Sequence, residues 1–503
     1  MKKRFIDWLK KNKAEALILL IILAGAAFLR LYRIGDYMTF LGDEGRDVLV
    51  VKRIIVDHKL TLLGPTASVG GFFLGPIYYY LMLPFLWLFR LDPVGPAVMV
   101  ALFGVATVFL VWKVGRDFFN PLAGLIAAGL YAVSPVVIAY SRSSWNPNLM
   151  PFFSLLAIYT LWLAVTKKKL KLLILVGFLL GIAFQLHYLA TFLVPAMVVY
   201  LLIFTRKIKN LKDYLLGGVG FLVGWSPFLL FELRHRFPNF KTFYQFFLYG
   251  EETGFVAGDL GPTISDVVYR LFSRLVTNNH LLAAQILLVF SLTIFAYFWF
   301  LERKKKKFKT LTLLGLWLIF GLGLFGFYQR GIYDYYFGFM FPLPFLLVGF
   351  AFARISQLRK AYLLILISFC FWLGVINLQG IPFQYPPNRQ LDQTKKVAGI
   401  ILREAEGKPF NFALITGQNS DHAYRYFLEI WGNPPVTIQN PQADPERESV
   451  TGQLLVVCEV SDCRPLGHSL WEIAGFGRAE IVGQWLAPGG IKVIKLGPWR
   501  EEG

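Results

Sequence analysis

Apolar windows of 17 or more residues recur along most of this chain, separated by short basic tracts, and a soluble fold has no way to bury them all. Of 503 residues 56% are hydrophobic and only 16% charged, so the chain reads as a polytopic membrane protein. A net charge of +20 would suit a nucleic-acid partner, but its placement excludes that class. Lys and Arg gather between the apolar runs, which is a topology signal. The first run, Ala14 to Leu29, lacks a small-residue cleavage site and reads as a retained span.

The basic N-terminus, MKKRFIDWLKKNK, is expected to stay in the cytoplasm. The run GPIYYYLMLPFLWLF (75–89) would cover ~22 Å as a helix, short of the ~30 Å hydrocarbon core, and Pro84 interrupts it. It is expected to lie in or dip into the outer interface, a level that suits its three consecutive tyrosines. Eleven spans then remain, at about 14–32, 94–114, 121–139, 149–166, 171–186, 189–205, 214–233, 281–300, 310–328, 336–353 and 361–379. The cytoplasmic pieces between them hold 25 of the 51 Lys and Arg residues, and the C-terminus falls outside. Were 75–89 a full span, KKK at 167–169 and KKKK at 304–307 would face outward.

The end of the chain is different material. After a Pro-rich linker, IPFQYPPN (381–388), Gln393 to Glu406 reads as a helix, and Phe410 to Thr416, Gln453 to Cys458 and Ile491 to Leu496 as buried strands. The expected organisation is therefore an all-α membrane domain at 1–380 and a small extracytoplasmic α/β domain at 381–503. Cys458 and Cys463 are close enough for a small disulfide there; Cys370 lies in an apolar span, and three cysteines give no metal pattern.

Residues suited to chemistry collect on the outer side. Two arginines, Arg30 and Arg33, follow the first apolar run, and a short loop then leads to Asp43, Glu44, Arg46 and Asp47. Ionisable groups at a membrane boundary invite a functional reading. The plain alternative is that Asp43 and Glu44 cap the next helix, and that Arg30 and Arg33 snorkel to headgroups. A site facing outward has no direct access to cytosolic nucleotides, and activated building blocks there usually arrive on a lipid.

The run FLRLYRIG…GDEGRD resembles the opening of the GT-C membrane glycosyltransferases, in the branch of the protein O-mannosyltransferases and the lipid A aminoarabinose transferase. The family's acidic pair is matched by Asp43-Glu44, with Arg46 two residues on. Pro76-Ile77-Tyr78-Tyr79 matches the interfacial helix of that branch, SPVVIAYSRSSWNPNLMPFF (134–153) its second outer loop, and YYFGFMFPLPFLL (335–347) its late Tyr-x-x-x-x-Pro span. The likeness covers roughly 1–350. It implies Asp43 as the general base for an acceptor hydroxyl, with Glu44 positioning Asp43 or a nearby cation. Arg46, Arg142, His187, Arg234, His235 and Arg330 become candidates for the donor phosphate, beside the alternative that they are interfacial or pair locally. Tyr78, Tyr79, Trp145 and Tyr336 are candidates for stacking on a sugar. Asn146 and Asn148 stand where metal-dependent relatives carry carboxylates, so neither a metal nor another cofactor is expected.

The function these readings imply is an inverting transfer of one sugar from a polyprenyl-phosphate donor to a lipid, glycan or protein hydroxyl, on the outer face of the cytoplasmic membrane. A lipid-linked sugar flippase would instead place charges near mid-membrane and show paired halves; the sequence has few such charges and no obvious internal repeat. A surface-polysaccharide polymerase or ligase would be argued from a large late loop in place of the acidic pair.

Overall fold

A computed structural model describes residues 7–8, 10–67, 71–205, 211–248, 260–305, 307–328, 331–357 and 360–499. The chain forms two compact units. One, here the membrane unit, takes Met1–Tyr32, Thr61–Leu81 and Ala97–Pro386; the other takes Arg33–Leu60, Met82–Pro96 and Pro387–Gly503. The second unit is therefore larger than the expected 381–503, because two stretches of the first outer loop belong to it.

Six helices among the described residues are long and apolar enough to cross a membrane, from Lys13–Leu31 to Lys307–Phe327. Two bent pairs, Leu211–Gly224 with Ser226–Arg234 and Asp334–Met340 with Pro342–Ile355, bring the number to eight if each is one span. The other expected spans coincide with shorter apolar helices, Pro121–Val133, Leu170–Leu186 and Leu364–Leu378. The 75–89 run becomes a helix at Ile77–Leu88, whose 12 residues rise only ~18 Å, with Pro84 inside it. Helix dominates because lipid offers no partner for a free backbone N–H or C=O, so each segment must satisfy its own.

Glycines decide how closely these helices approach. Gly177 and Gly181 on one helix face Gly217, Gly220 and Gly224 on the next. A Cβ at Gly177 would sit 1.9 Å from the Gly217 carbonyl oxygen, and one at Gly220 would sit 1.9 Å from that of Ile174. Small residues spaced by four let two backbones touch where no hydrophobic force between helices is available.

The second unit holds a four-stranded sheet: β1 (Asn411–Ile415), β2 (Leu454–Cys458), β3 (Ala479–Leu486) and β4 (Lys492–Pro498), in the order β1-β2-β4-β3. β1 and β2 run parallel, joined through the helix His422–Ile430, and the other pairings are antiparallel. Ala413, Leu454, Val456, Ile494 and Leu496 lead its core, and Cys458 is disulfide-bonded to Cys463. The first-loop helix Gly42–Val56 packs on His422–Ile430. Lys52 and Arg53 reach Glu429 at 3.7 and 3.4 Å, and the Phe40 ring lies 5.7 Å from that of Phe427. Asp92 pairs with Lys395 at 2.9 Å, tying in the second stretch of the loop.

Gly220→Ala should lower the thermal stability of the detergent-purified protein by about 1–3 kcal/mol, the usual cost of forcing volume into a packed contact. Gly218→Ala, where an added Cβ meets nothing within 4 Å, should not. Equal melting temperatures for the two variants would contradict the glycine packing.

Candidate functional site

The helix that carries the acidic pair begins with free N–H groups, as every helix does. Leu41 precedes it and has no acceptor side chain. Glu44 supplies one: its Oε2 accepts the Leu41 N–H at 3.0 Å. The next donor, the Gly42 N–H, goes to Oδ1 of Asn419 at 2.9 Å. The Asp43 side chain takes no part in this capping. Its side chain is 53% exposed, and among the described residues its one bond is the ion pair with Arg46 Nη1 at 2.7 Å. Arg46 also holds Asp47, fully buried, through Nε and Nη2 at 2.9 and 2.8 Å. The acidic pair has thus been divided. Glu44 faces inward and caps, while Asp43 faces outward beside a guanidinium.

Burial separates them further. Glu44 is 6% exposed, and desolvation, opposed by its backbone hydrogen bonds, pushes its pKa from 4.5 up to about 7, with Asp43 and Asp47 adding repulsion. His422, at the start of the helix packed on the acidic one, is shifted downward by burial; its field includes Asp421, Arg46, Arg425 and Asp43. Its Nδ1 lies 2.7 Å from Ser420 Oγ.

The remaining candidates belong to the membrane unit. Arg142 is buried and donates from Nη1 to Leu29 O at 2.9 Å and from Nη2 to Tyr32 O at 2.7 Å, so it caps the C-terminal end of the first helix. Arg30 does not snorkel: it is fully buried and donates to the carbonyls of Ala26 and Ala132 at 3.2 and 3.0 Å. Arg33, in the second unit, pairs with Asp36. His187 is buried, its Nδ1 accepts the Leu189 N–H at 3.2 Å, and desolvation pushes its pKa down to about 3. It is a neutral imidazole at pH 7, which holds a phosphate as a hydrogen-bond donor at most. Its ring lies 5.6 Å from Tyr336, whose hydroxyl is 3.5 Å from that of Tyr328.

Tyr78 and Tyr79 are buried; the Tyr78 hydroxyl is 2.7 Å from Ser144 Oγ. Trp145 stands edge-on to Tyr335 at 4.4 Å. Asn146 and Asn148 donate to the carbonyls of Leu186 and Ser143, and among the described residues no three His, Cys, Asp or Glu side chains converge as metal ligands. Arg234 and His235 are exposed at a helix end, with the His235 ring on Phe231 at 4.1 Å. Arg330 lies outside the described residues.

One cationic group escaped the sequence reading. Arg270 and Arg274 sit one helical turn apart and share Asp334 at 3.2 and 2.8 Å; Arg270 also meets Asp266 at 2.7 Å. Arg274, 44% exposed, is the less committed of the two. Spacing of four on an amphipathic helix was the available signal, and it marks countless surface arginines.

The family described as dolichyl-phosphate-mannose-protein mannosyltransferase matches residues 74–231. Two Bacillus subtilis (strain 168) proteins, YycA and YkcB, both mannosyltransferases by provisional name, are 28% identical over 227 residues and 27% over 198. Those matches span 43% and 39% of this chain but only 32% and 27% of the relatives, about a third of their length. Among solved structures, ArnT from Cupriavidus metallidurans, bound to undecaprenyl phosphate, superposes with a TM-score of 0.64 at 14% identity, covering 96% of this chain and 98% of its own. The chain has the GT-C fold. The archaeal oligosaccharyltransferase AglB from Archaeoglobus fulgidus, in complex with an inhibitory peptide and a dolichol-phosphate, shares it with a TM-score of 0.56 at 12% identity, over 89% of this chain and 70% of that one. This GT-C protein is a multi-pass membrane protein with a small C-terminal sheet.

In this GT-C chain the proton on Glu44 should be visible in stability. A carboxyl whose folded pKa lies above its unfolded one binds its proton better when folded, so its contribution is fully present below about 4.5 and is lost as pH rises through about 7. The ceiling is ~3 kcal/mol, from ~1.4 kcal/mol per pKa unit. Melting of wild type against Glu44→Gln, which keeps the acceptor for Leu41, should diverge between pH 5 and pH 8, wild type losing more. Parallel pH profiles would place Glu44 in solvent.

Proposed function

We propose that this chain is a membrane glycosyltransferase that moves one sugar from a polyprenyl-phosphate donor to an acceptor hydroxyl, with Asp43 as the general base. The observation that carries this reading is that Asp43 takes no part in helix capping: the Leu41 and Gly42 N–H groups bond to Glu44 and Asn419, and its side chain is left exposed. Arg46 holds one oxygen of the exposed Asp43 carboxylate and leaves the other to accept a hydroxyl proton. As Asp43 takes the hydroxyl proton, the acceptor oxygen forms its bond to the anomeric carbon, and the bond from that carbon to the phosphate oxygen breaks. Polyprenyl phosphate leaves with the electron pair. A single displacement of this kind inverts the anomeric centre.

The fold supports the donor class, since ArnT and AglB were each solved with a polyprenyl-type phosphate. The matched family name makes mannose the first sugar to try. Departing phosphate needs cationic partners. Arg142 is not free for that task, being committed to the carbonyls of Leu29 and Tyr32. The basic tracts between the spans support a cytoplasmic N-terminus and an outward second unit in the cytoplasmic membrane. Acceptors in this reading are a lipid, a glycan or a protein.

Asp43→Asn keeps size and hydrogen bonding but removes the basic oxygen. Transfer of tritiated mannose from mannosyl polyprenyl phosphate into a host membrane extract should fall by about 10²–10⁴, with an unchanged melting temperature. A folded variant with near wild-type turnover would leave Asp43 without a catalytic role. The same assay should survive EDTA, because the neutral Asn146 and Asn148 are weak ligands for hard divalent cations. Loss with EDTA and recovery with Mn²⁺ would turn Asp43 and Glu44 into metal ligands.

A further inference from the structure

The acidic helix is seated by a small polar network that no sequence motif marks. Asn419 Oδ1 accepts two backbone N–H groups, from Gly42 and from Ser420, both at 2.9 Å. Its Nδ2 donates to both oxygens of Glu459, at 3.1 and 3.2 Å. Glu459 also accepts from Thr416 Oγ1 at 2.8 Å and from the Tyr424 hydroxyl at 2.7 Å. An ionised carboxylate only accepts, so it draws the amide NH₂ toward itself and turns the amide oxygen toward Gly42. Glu459 is itself fixed, following directly on Cys458 of the Cys458–Cys463 disulfide and donating its N–H to Ile415 O at 2.9 Å.

Two glycines bring the backbones together. A Cβ on Gly42 would lie 2.1 Å from Ser420 Oγ, and one on Gly45 would lie 2.3 Å from the Ala423 nitrogen. Asp43 and Glu44 stand between those two points. The first turn of the acidic helix is thus pressed onto residues 419–423 by shape and pinned by one hydrogen bond. We propose that Asn419 is a positioning residue for Asp43, with Glu459 setting the orientation of its amide. This rests on the reading of Asp43 as the base. The C-terminal sheet domain then contributes to turnover through this contact, whatever else it binds.

The test uses the full chain in detergent with two readouts: hydrogen exchange of a peptide covering 40–48, and transfer kinetics with mannosyl undecaprenyl phosphate and a membrane extract. Asn419→Ala should speed exchange at 40–48 while leaving the helix Gln390–Ala405 protected. It should lower kcat by about 10- to 100-fold, the scale of a misplaced catalytic group, with donor KM within about twofold. Asn419→Asp alone sets two carboxylates together and should be as impaired. Asn419→Asp with Glu459→Gln restores a donor–acceptor pair of reversed polarity, leaves a carboxylate oxygen for Gly42, and should recover kcat to within about threefold of wild type. Unchanged exchange and unchanged kcat in Asn419→Ala would overturn the proposal. So would a double variant that regains stability but not kcat. If Asn419→Ala does not fold, the double variant decides. Full activity of Asp43→Asn would sink the base instead; the exchange arm would then still report whether Asn419 seats the helix, so the two failures are distinguishable.

Discussion

Two backbone N–H groups at the start of one short helix determine what its acidic pair is free to do. Glu44 takes the first and Asn419 the second, so a chain with two adjacent acids uses one as structure and exposes the other. The capping reading of the pair holds for Glu44, and Asp43 is left exposed beside Arg46. The same division sets the protonation of Glu44. Glu44 exchanges water for a buried seat and holds its proton to near neutrality, whereas Asp43 keeps its exposure and an arginine.

The membrane helices were legible because lipid removes alternatives. A long apolar run bounded by lysines has one way to satisfy its backbone, and the described helices coincide with the stretches read from hydropathy. In the second unit β1, β2 and β4 were legible as short buried runs. β3 was not: it is a sheet edge, its register shifts between Ile481 and Gly483, and its exposed residues break any alternation. The helix His422–Ile430 mixes His, Arg and Glu with its apolar residues over only nine positions, too few to show a period.

Site residues divide along another line. Asp43 and Glu44 could be picked out because they are adjacent and follow a span. Arg142 shows the opposite case, since residue type gives a guanidinium five donors but not their destination. Here two of them close the end of the first helix. Arg30, expected at the headgroups under the plain reading, turns into the protein instead, because the carbonyls of Ala26 and Ala132 lie within reach. Asn419 had no signal at all. An asparagine in a polar loop is ordinary, and its partner Gly42 is 377 positions away.

That separation has a consequence for how the molecule is made. The acidic helix leaves the ribosome 377 residues ahead of Asn419, which receives it. At ordinary elongation rates of ~5–20 residues per second, the interval is on the order of half a minute. Throughout it the Gly42 amide can bond only to water, and the Gly42 and Gly45 faces stand open. The Gly42 amide therefore meets its acceptor only after the stretch around Asn419 has emerged. A chain cut before Asn419 would still cap Leu41 through Glu44 but would have no side-chain acceptor for Gly42.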